Sequence, residues 1–317
     1  SLYLDYFYPK GGVGKLAEAV ENSFLKQGGE ILRETTIDRV TLNEKYVSDQ
    51  NGIKYHFNTL VWAADLKTFY RITTTEGLPS EVSRDFEKVK NRLTAGRGGD
   101  SVFTLFLEVD IPTEYFKKIG KGHFFYSPSR KGLGDLRWNS INNIIKSSQK
   151  PDRSEILNWL DKFLAFNTYE ISIPALKDPD LAPEGKTGLI ISFLADYDLF
   201  KKVHDEGWHK EFITELEERI IRVLSDSVYP VLKEKVIDRF SFTPLSYEKR
   251  VGSSEGAITG WSFCEPIPVI NKITAAGKAV LTPVPSIYQA GQWTYSPAGV
   301  PMSILTGKLA AQRILSS

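Results

Sequence analysis

Two glycine-containing turns, one near each end of the chain, carry residue types that could meet a ligand. At the start, Tyr8-Pro9-Lys10-Gly11-Gly12 leads into a helical pattern that Gly28-Gly29-Glu30-Ile31 follows. Near the end, Tyr288-Gln289-Ala290-Gly291-Gln292-Trp293-Thr294 precedes Pro297-Ala298-Gly299-Val300-Pro301-Met302 and, further on, Gly307-Lys308-Leu309-Ala310-Ala311. Gly291 has no side chain, so backbone there can approach a ligand closely. Gln292 beside it can hydrogen-bond sugar or phosphate oxygens. Gly299 opens a helix whose first amides, at Val300 to Met302, have no intrahelical partner. Pro301 stands in that first turn, where no donor is required. A helix start of this kind favours negative charge.

Other candidates are thinner. Lys10 to Lys15 spells KGGVGK, the lysine-led phosphate loop of ParA- and MinD-like ATPases, in which backbone amides wrap phosphates and the lysine reaches the β and γ oxygens. That chemistry needs a Ser or Thr after the last lysine and an apolar strand before the loop. Leu16 and Tyr8-Pro9 occupy those places, and Asp65 is the sole candidate for a magnesium-holding aspartate. A ParA-like ATPase is therefore a remote alternative to a tight turn before an amphipathic helix with Lys15 solvated. His56, His123, His204 and His209 are scattered, and the last pair is spaced by five rather than the four that suits a helical metal site. No metal is expected. Cys264 has no histidine nearby in sequence and reads as a buried, inert thiol. Lys117, Lys118 and Lys121 among Phe116, Phe124, Phe125 and Tyr126 form either a solvated face above a core strand or a peripheral membrane contact. Trp138, Trp261, Phe263 and Trp293 could line an apolar tunnel or be ordinary core. The sequence nominates no catalytic acid or base.

The elements that position these residues can be read from periodicity. Val13–Lys26 is predicted helical, with Leu16, Val20 and Phe24 at spacings of four. Glu30–Arg33, Asp38–Leu42 and Ile53–Phe57 read as strands, with a turn over residues 49–52. The run Thr59–Ala64 is apolar after its first residue, as in a strand buried on both faces, and Asp65 follows it. Helices are predicted over Ser80–Leu93 and Ser154–Phe166, each with a serine to cap it, and over Trp208–Val228. Strands are predicted at Ser101–Val109, Gly188–Leu194, Ala279–Pro283 and Ser286–Gly291, with a final helix over Gly299–Leu315.

With both turns and their elements in place, the chain resembles the phytoene desaturase, carotenoid isomerase and retinol saturase group of FAD-dependent oxidoreductases. The YPxGG turn, the helix ending at GGxI, the return strand Val61-Trp62-Ala63-Ala64-Asp65, the segment Glu255–Gly260 and the C-terminal turn all carry the likeness. The group has asparagine before the alanine of the return strand, where this chain has Ala63. The resemblance implies FAD as cofactor, with Val40 against the adenine, Ala64 at the return strand, Gly291 and Gln292 at ribityl or phosphate oxygens, and Gly299, Val300, Pro301 and Met302 at the pyrimidine edge of the isoalloxazine. It implies a fold that is α/β plus α+β: a partial FAD-binding domain (Rossmann-like, glutathione-reductase-type) with a large mixed α+β substrate domain inserted. The expected division is 1–65 and 256–317 for FAD and 66–255 for substrate. The group opens with a GxGxxG turn on the FAD pyrophosphate, and neither Gly96-Arg97-Gly98-Gly99 nor Gly132-Leu133-Gly134 supplies it. The chain is accordingly read as a C-terminal fragment, lacking the N-terminal FAD-binding segment, inactive alone and binding FAD weakly or not at all.

Composition bounds the rest. In 317 residues, 41% are hydrophobic and 25% charged, which excludes a disordered or fibrous chain. Forty basic and 39 acidic residues leave a net charge of +1, with no electrostatic case for nucleic acid. One cysteine excludes an internal disulfide and fits a reducing, cytoplasmic setting. No apolar run reaches membrane-spanning length. The resemblance, rather than the composition, implies the substrate: a hydrophobic, polyene- or isoprenoid-like small molecule, changed at a carbon–carbon bond. An amine-oxidase-like enzyme, a non-catalytic binding module and a subunit completed by another chain stay open beside it.

Overall fold

The computed structural model describes residues 7–136, 142, 143, 145 and 153–316. The first predicted helix is α1 (Gly14–Lys26), and none of its residues is buried. Its start is fixed by the Gly11 amide, which donates to Asp178 Oδ2 at 2.7 Å. The strand predicted at Glu30–Arg33 does not form. Just beyond it the Gln50 side chain ties down the approach to the first strand: its Nε2 donates to the Glu34 carbonyl and its Oε1 accepts from the Thr36 amide. Strands β1 (Ile37–Thr41), β2 (Tyr46–Asp49) and β3 (Lys54–His56) form an antiparallel meander. Asp49 closes its second turn by accepting from the amides of Asn51 and Ile53 and from the Tyr55 hydroxyl. β4 (Leu60–Trp62) is shorter than predicted and not buried on both faces, since Val61 is 39% exposed. The reason is that β4 belongs to a two-stranded sheet rather than to a wide covered one.

Asp65 then caps α2 (Leu66–Ile72), accepting the Thr68 amide at 2.7 Å. β5 (Thr73–Thr74) and α3 (Ser80–Ala95) follow. The cap position of α3 is Pro79, so Ser80 lies one residue too far inside the helix to cap it. Next come β6 (Ser101–Val109), α4 (Thr113–Lys117), β7 (His123–Tyr126), α5 (Arg153–Phe166), β8 (Tyr169–Ser172) and β9 (Thr187–Ala195). After them are α6 (Tyr197–Asp205), α7 (His209–Ser225), α8 (Leu232–Lys235), β10 (Val236–Phe242) and α9 (Pro244–Val251). The strand predicted at Ala279–Pro283 is replaced by α10 (Ala276–Ala279) and a single bridge from Leu281 to Tyr288, because Pro283 offers a ladder no donor. β11 (Ile287–Gln289) and α11 (Val300–Ser316) end the chain.

The chain divides into two compact units, Ser1–Ile31 with Val102–Thr243 and Leu32–Ser101 with Pro244–Ser317. The boundaries expected after residues 65 and 255 both fall inside the second unit. There Leu66, Phe69, Tyr70, Phe86 and Leu93 of α2 and α3 share one core with Val40, Leu42 and Trp62. In the first unit a five-stranded sheet runs in the order β10-β6-β9-β8-β7. One face buries Phe103, Leu105, Leu107, Leu189, Ile191 and Phe193, with ring contacts from Phe163 of α5 and Phe200 of α6. Each such side chain contributes about 1.5–3 kcal/mol on leaving water. In the second unit the sheet order is β3-β2-β1-β5, and β4 pairs with β11 in parallel.

Candidate functional site

The second unit brings most of the predicted residues to one edge. β4 and β11 pair with Leu60 opposite Ile287, Val61 opposite Tyr288 and Trp62 opposite Gln289, and the Ala290 amide donates to the Trp62 carbonyl at 2.9 Å. Because the strands are parallel, the chain leaves both at the same end: Ala63-Ala64-Asp65 from one, Gly291-Gln292 from the other. Open α/β sheets bind ligands beyond the carboxyl ends of such strands. Ala63 and Ala64 are exposed there. Gly291 has φ +90°, and a Cβ on it would lie 3.2 Å from the Ala63 carbonyl oxygen, so both backbone and contact select glycine. The Gly291 amide donates to Thr306 Oγ1 at 3.0 Å, which pins the edge to the second turn of α11. Thr306 is fully buried and turns its own proton toward the carbonyls of Met302 and Ser303.

The start of α11 is open. Ser303 donates to the Gly299 carbonyl at 2.9 Å, but the amides of Val300 and Met302 precede the first possible intrahelical acceptor, and Val300 is exposed. The Gln292 side chain is half-buried and forms no hydrogen bond with another described residue. In the loop between, Thr294 and Ser296 are fully buried with unpartnered hydroxyls, each a polar group that costs about 1–3 kcal/mol when left without a partner. A glycine that admits close approach beside an open helix start fits a planar ligand with polar edges. Val40 is placed differently: it is fully buried in the core of this unit, between β2 and β5, and offers no side-chain surface at the edge.

The other candidates fall away from this edge or outside the described residues. Trp261 and Trp293 are core residues, perpendicular at 4.9 Å, with Trp261 Nε1 donating to the Trp293 carbonyl. Phe263 is exposed, and Trp138 lies outside the described residues. Cys264 is exposed rather than buried, in an irregular segment that offers no core to enclose it. Lys15 sits on the surface of α1, paired with Glu18 at 2.6 Å. Among the described residues no cluster of three metal-ligating side chains exists. His204 and His209 meet edge to face at 5.8 Å, and burial, with the charge of His204, holds His209 below the usual imidazole range. Lys117, Lys118 and Lys121 are exposed beside exposed Phe125, whereas Phe116 is core. Among the described residues no helix is long and apolar enough to cross a membrane.

The first unit holds a feature that the sequence reading missed. The sheet face turned away from the core carries Phe106, Ile190, Leu194 and Phe240, and Phe240 is 59% exposed. Phe106 and Phe240 stack in parallel at 4.6 Å across β6 and β10. A shallow cavity of about 260 Å³ opens there, lined among others by Phe106, Glu108, Leu181, Ile190 and Phe240. The signal was present in the strands. It is partial: the outward set of β6 and β9 mixes Val102, Phe106, Ile190 and Leu194 with Thr104, Glu108 and Ser192, whereas a strand with one buried face more often alternates apolar with polar.

A parallel strand edge with a glycine approach and an open helix start is a geometry able to receive a cofactor in an α/β fold. The sequence profile of the family described as flavin containing amine oxidoreductase matches residues 3–315, and the chain belongs to that family. It is 22% identical over 319 residues to prolycopene isomerase 2, chloroplastic, of an Oncidium hybrid cultivar, covering 97% of this chain and 46% of that protein. It is 23% identical over 299 residues to all-trans-retinol 13,14-reductase of Danio rerio, covering 90% and 46%. Relatives of these kinds bear out the resemblance to the carotenoid desaturase, isomerase and retinol saturase group. Among solved structures, wild-type putrescine oxidase bound to putrescine superposes with a TM-score of 0.55 at 13% identity, covering 96% of this chain and 53% of that one. The fold is thus shared with about half of that oxidase. The chain spans about half the length of the curated relatives it matches.

Proposed function

We propose that this chain is part of an FAD-dependent oxidoreductase that acts on a carbon–carbon bond of a hydrophobic, polyene- or isoprenoid-like molecule, by dehydrogenation, saturation or redox-neutral isomerisation. The observation that carries the reading is the edge where Ala64, Gly291 and Gln292 meet the open start of α11, in a chain of a flavin-containing family. FAD, when bound, supplies the hydride chemistry. This chain's residues bind and orient it. Gln292 hydrogen-bonds ribityl or phosphate oxygens, and Gly291 and Ala64 give the backbone close access. The first amides of α11, at Val300 and Met302, stabilise negative charge on the pyrimidine edge of the ring. Gly299 and Pro301 shape that turn. Val40, enclosed in the core, supports the adenine end by holding β1 in place.

The substrate role belongs to the outward sheet face of the first unit. Phe106, Ile190, Leu194 and Phe240 exclude water there and offer an apolar bed that suits a long unsaturated chain and suits a small charged one poorly. The rim of Lys117, Lys118 and Phe125 is the part proposed to touch a membrane surface from which such a substrate is drawn. Flavin fluorescence titration tests the cofactor reading. The full-length protein is expected to bind FAD one to one, and this chain alone more weakly, because the GxGxxG grip of the resembling group has no counterpart in it. A full-length protein that does not quench flavin fluorescence would refute the proposal.

A further inference from the structure

We propose that the ion pair between Lys67 and Glu255 is a positioning device for the cofactor edge: it sets the segment Ser254–Trp261, which holds Asp65 beside Ala64 and also the backbone of Gln292 and Trp293. The inference rests on the flavin reading above. Lys67 is 8% exposed. Its Nζ lies 2.5 Å from Glu255 Oε1 and 3.0 Å from the Gly96 carbonyl oxygen. The other carboxylate oxygen, Oε2, accepts the Gly98 amide at 2.8 Å. Glu255 itself has φ +54°, a left-handed conformation that a residue with a Cβ keeps only where its surroundings hold it. One carboxylate therefore ties together α2, the turn after α3 and its own loop.

From this junction, contacts run to both halves of the edge. Asp65, adjoining Ala64, accepts the Ser254 amide through Oδ2 at 2.8 Å. On the other side, backbone bonds join residues 97–100 to 258–262: Ile258 to Asp100, Gly99 to Gly260, and Ser262 to Arg97. Gly260 lies so close to the Gln292 carbonyl that any Cβ there would collide with it. Trp261 Nε1 donates to the Trp293 carbonyl at 2.7 Å. The pair touches no part of the edge itself and acts through these neighbours. Desolvating two charges makes a buried pair a poor source of net stability, whereas removing one partner is strongly disruptive. Its location at a junction of three backbone segments is what positioning requires.

The test uses the full-length protein with Glu255→Gln, which keeps an acceptor for Gly98 but removes the charge opposite Lys67, and separately with Lys67→Met. Three quantities are read: FAD affinity, the visible absorption of bound flavin, and the cooperativity of apo-protein melting. Positioning predicts about tenfold weaker FAD binding, which is a third to a half of the loss typical for breaking a buried pair. It also predicts a shifted flavin band in a protein that still melts cooperatively. A lower melting temperature with unchanged affinity and spectrum of the folded protein would show a merely structural pair and overturn the inference. Should Glu255→Gln fail to fold, Lys67→Met decides by the same readouts. A wild-type protein that binds no FAD would bring down the flavin reading itself, whereas wild-type binding matched by both variants would remove only this inference.

Discussion

Gly291→Ala is the substitution whose effect follows most directly from geometry. Gly291 sits at φ +90°, and its new Cβ would stand 3.2 Å from the Ala63 carbonyl oxygen. Holding a residue with a Cβ in left-handed backbone costs about 1–2 kcal/mol, and a contact this tight obliges the β4 backbone to give by a few tenths of an ångström. Together these amount to about 2–3 kcal/mol. If the loop relaxes, the Gly291 amide leaves Thr306 and the edge beside Ala64 opens. If it holds, the strain remains in the folded state. Where that energy falls on the cofactor-competent geometry, FAD affinity drops by about 30- to 100-fold, at tenfold for each 1.4 kcal/mol. The assay pairs flavin titration with thermal melting of the apo-protein. Gly307→Ala, in mid-helix with open space around it, is the control: it should leave FAD affinity nearly unchanged and raise melting slightly, since Ala is about 0.5–1 kcal/mol better than Gly inside a helix. A Gly291→Ala protein with wild-type melting and wild-type affinity would refute the reasoning, since neither the strain nor the contact would then be real.

Two further outcomes are expected. Burial pushes the Asp49 carboxyl up, but hydrogen bonds from the amides of Ile53 and Asn51 and from the Tyr55 hydroxyl outweigh it and hold the group below the usual carboxylate range. Its stabilisation of the β2–β3 turn is then complete above the ordinary value near pH ~3.9 and is lost as pH falls through the lowered native one. Asp49→Asn should therefore melt lower than wild type at neutral pH, with the difference closing in acid, and a difference independent of pH would contradict this. Phe240→Asp, on an exposed ring stacked on Phe106, should cost about 1–2 kcal/mol of stability through the lost ring pair and the poor strand propensity of Asp, while weakening binding of a hydrophobic polyene about tenfold or more to the protein that remains folded. Equal polyene affinity in the two proteins would remove the sheet face from the substrate role.

The candidate edge was legible because its signals are local. Gly291, Gln292 and the Gly299-Val300-Pro301 turn each announce a backbone need within a few residues, and the parallel return of β4 follows from an apolar run ending in Ala64-Asp65. The same locality explains the failures. Glu30–Arg33 has strand-like residues, but no described strand lies beside it to complete a ladder, and strand partners are not a local signal. Lys67 and Glu255 are 188 positions apart, so no spacing rule joins them. Val40 sits on the predicted strand, yet which side of that strand meets the core depends on α2 and α3, and α2 was not foreseen. The apolar sheet face is an intermediate case. Its residues break the alternation of β6 and β9, but that pattern also describes a strand covered on both faces, and only the assembled sheet separates the two.

In the proposed holoprotein the open start of α11 and the Gly291–Gln292 edge hold the flavin ring. A crystal structure of the full-length protein with FAD bound tests it most directly. The account predicts the pyrimidine edge of the isoalloxazine within hydrogen-bond distance of the Val300 or Met302 amide, with Gln292 on the ribityl or phosphate oxygens. A ring bound elsewhere, with the start of α11 facing solvent or unrelated side chains, would contradict it.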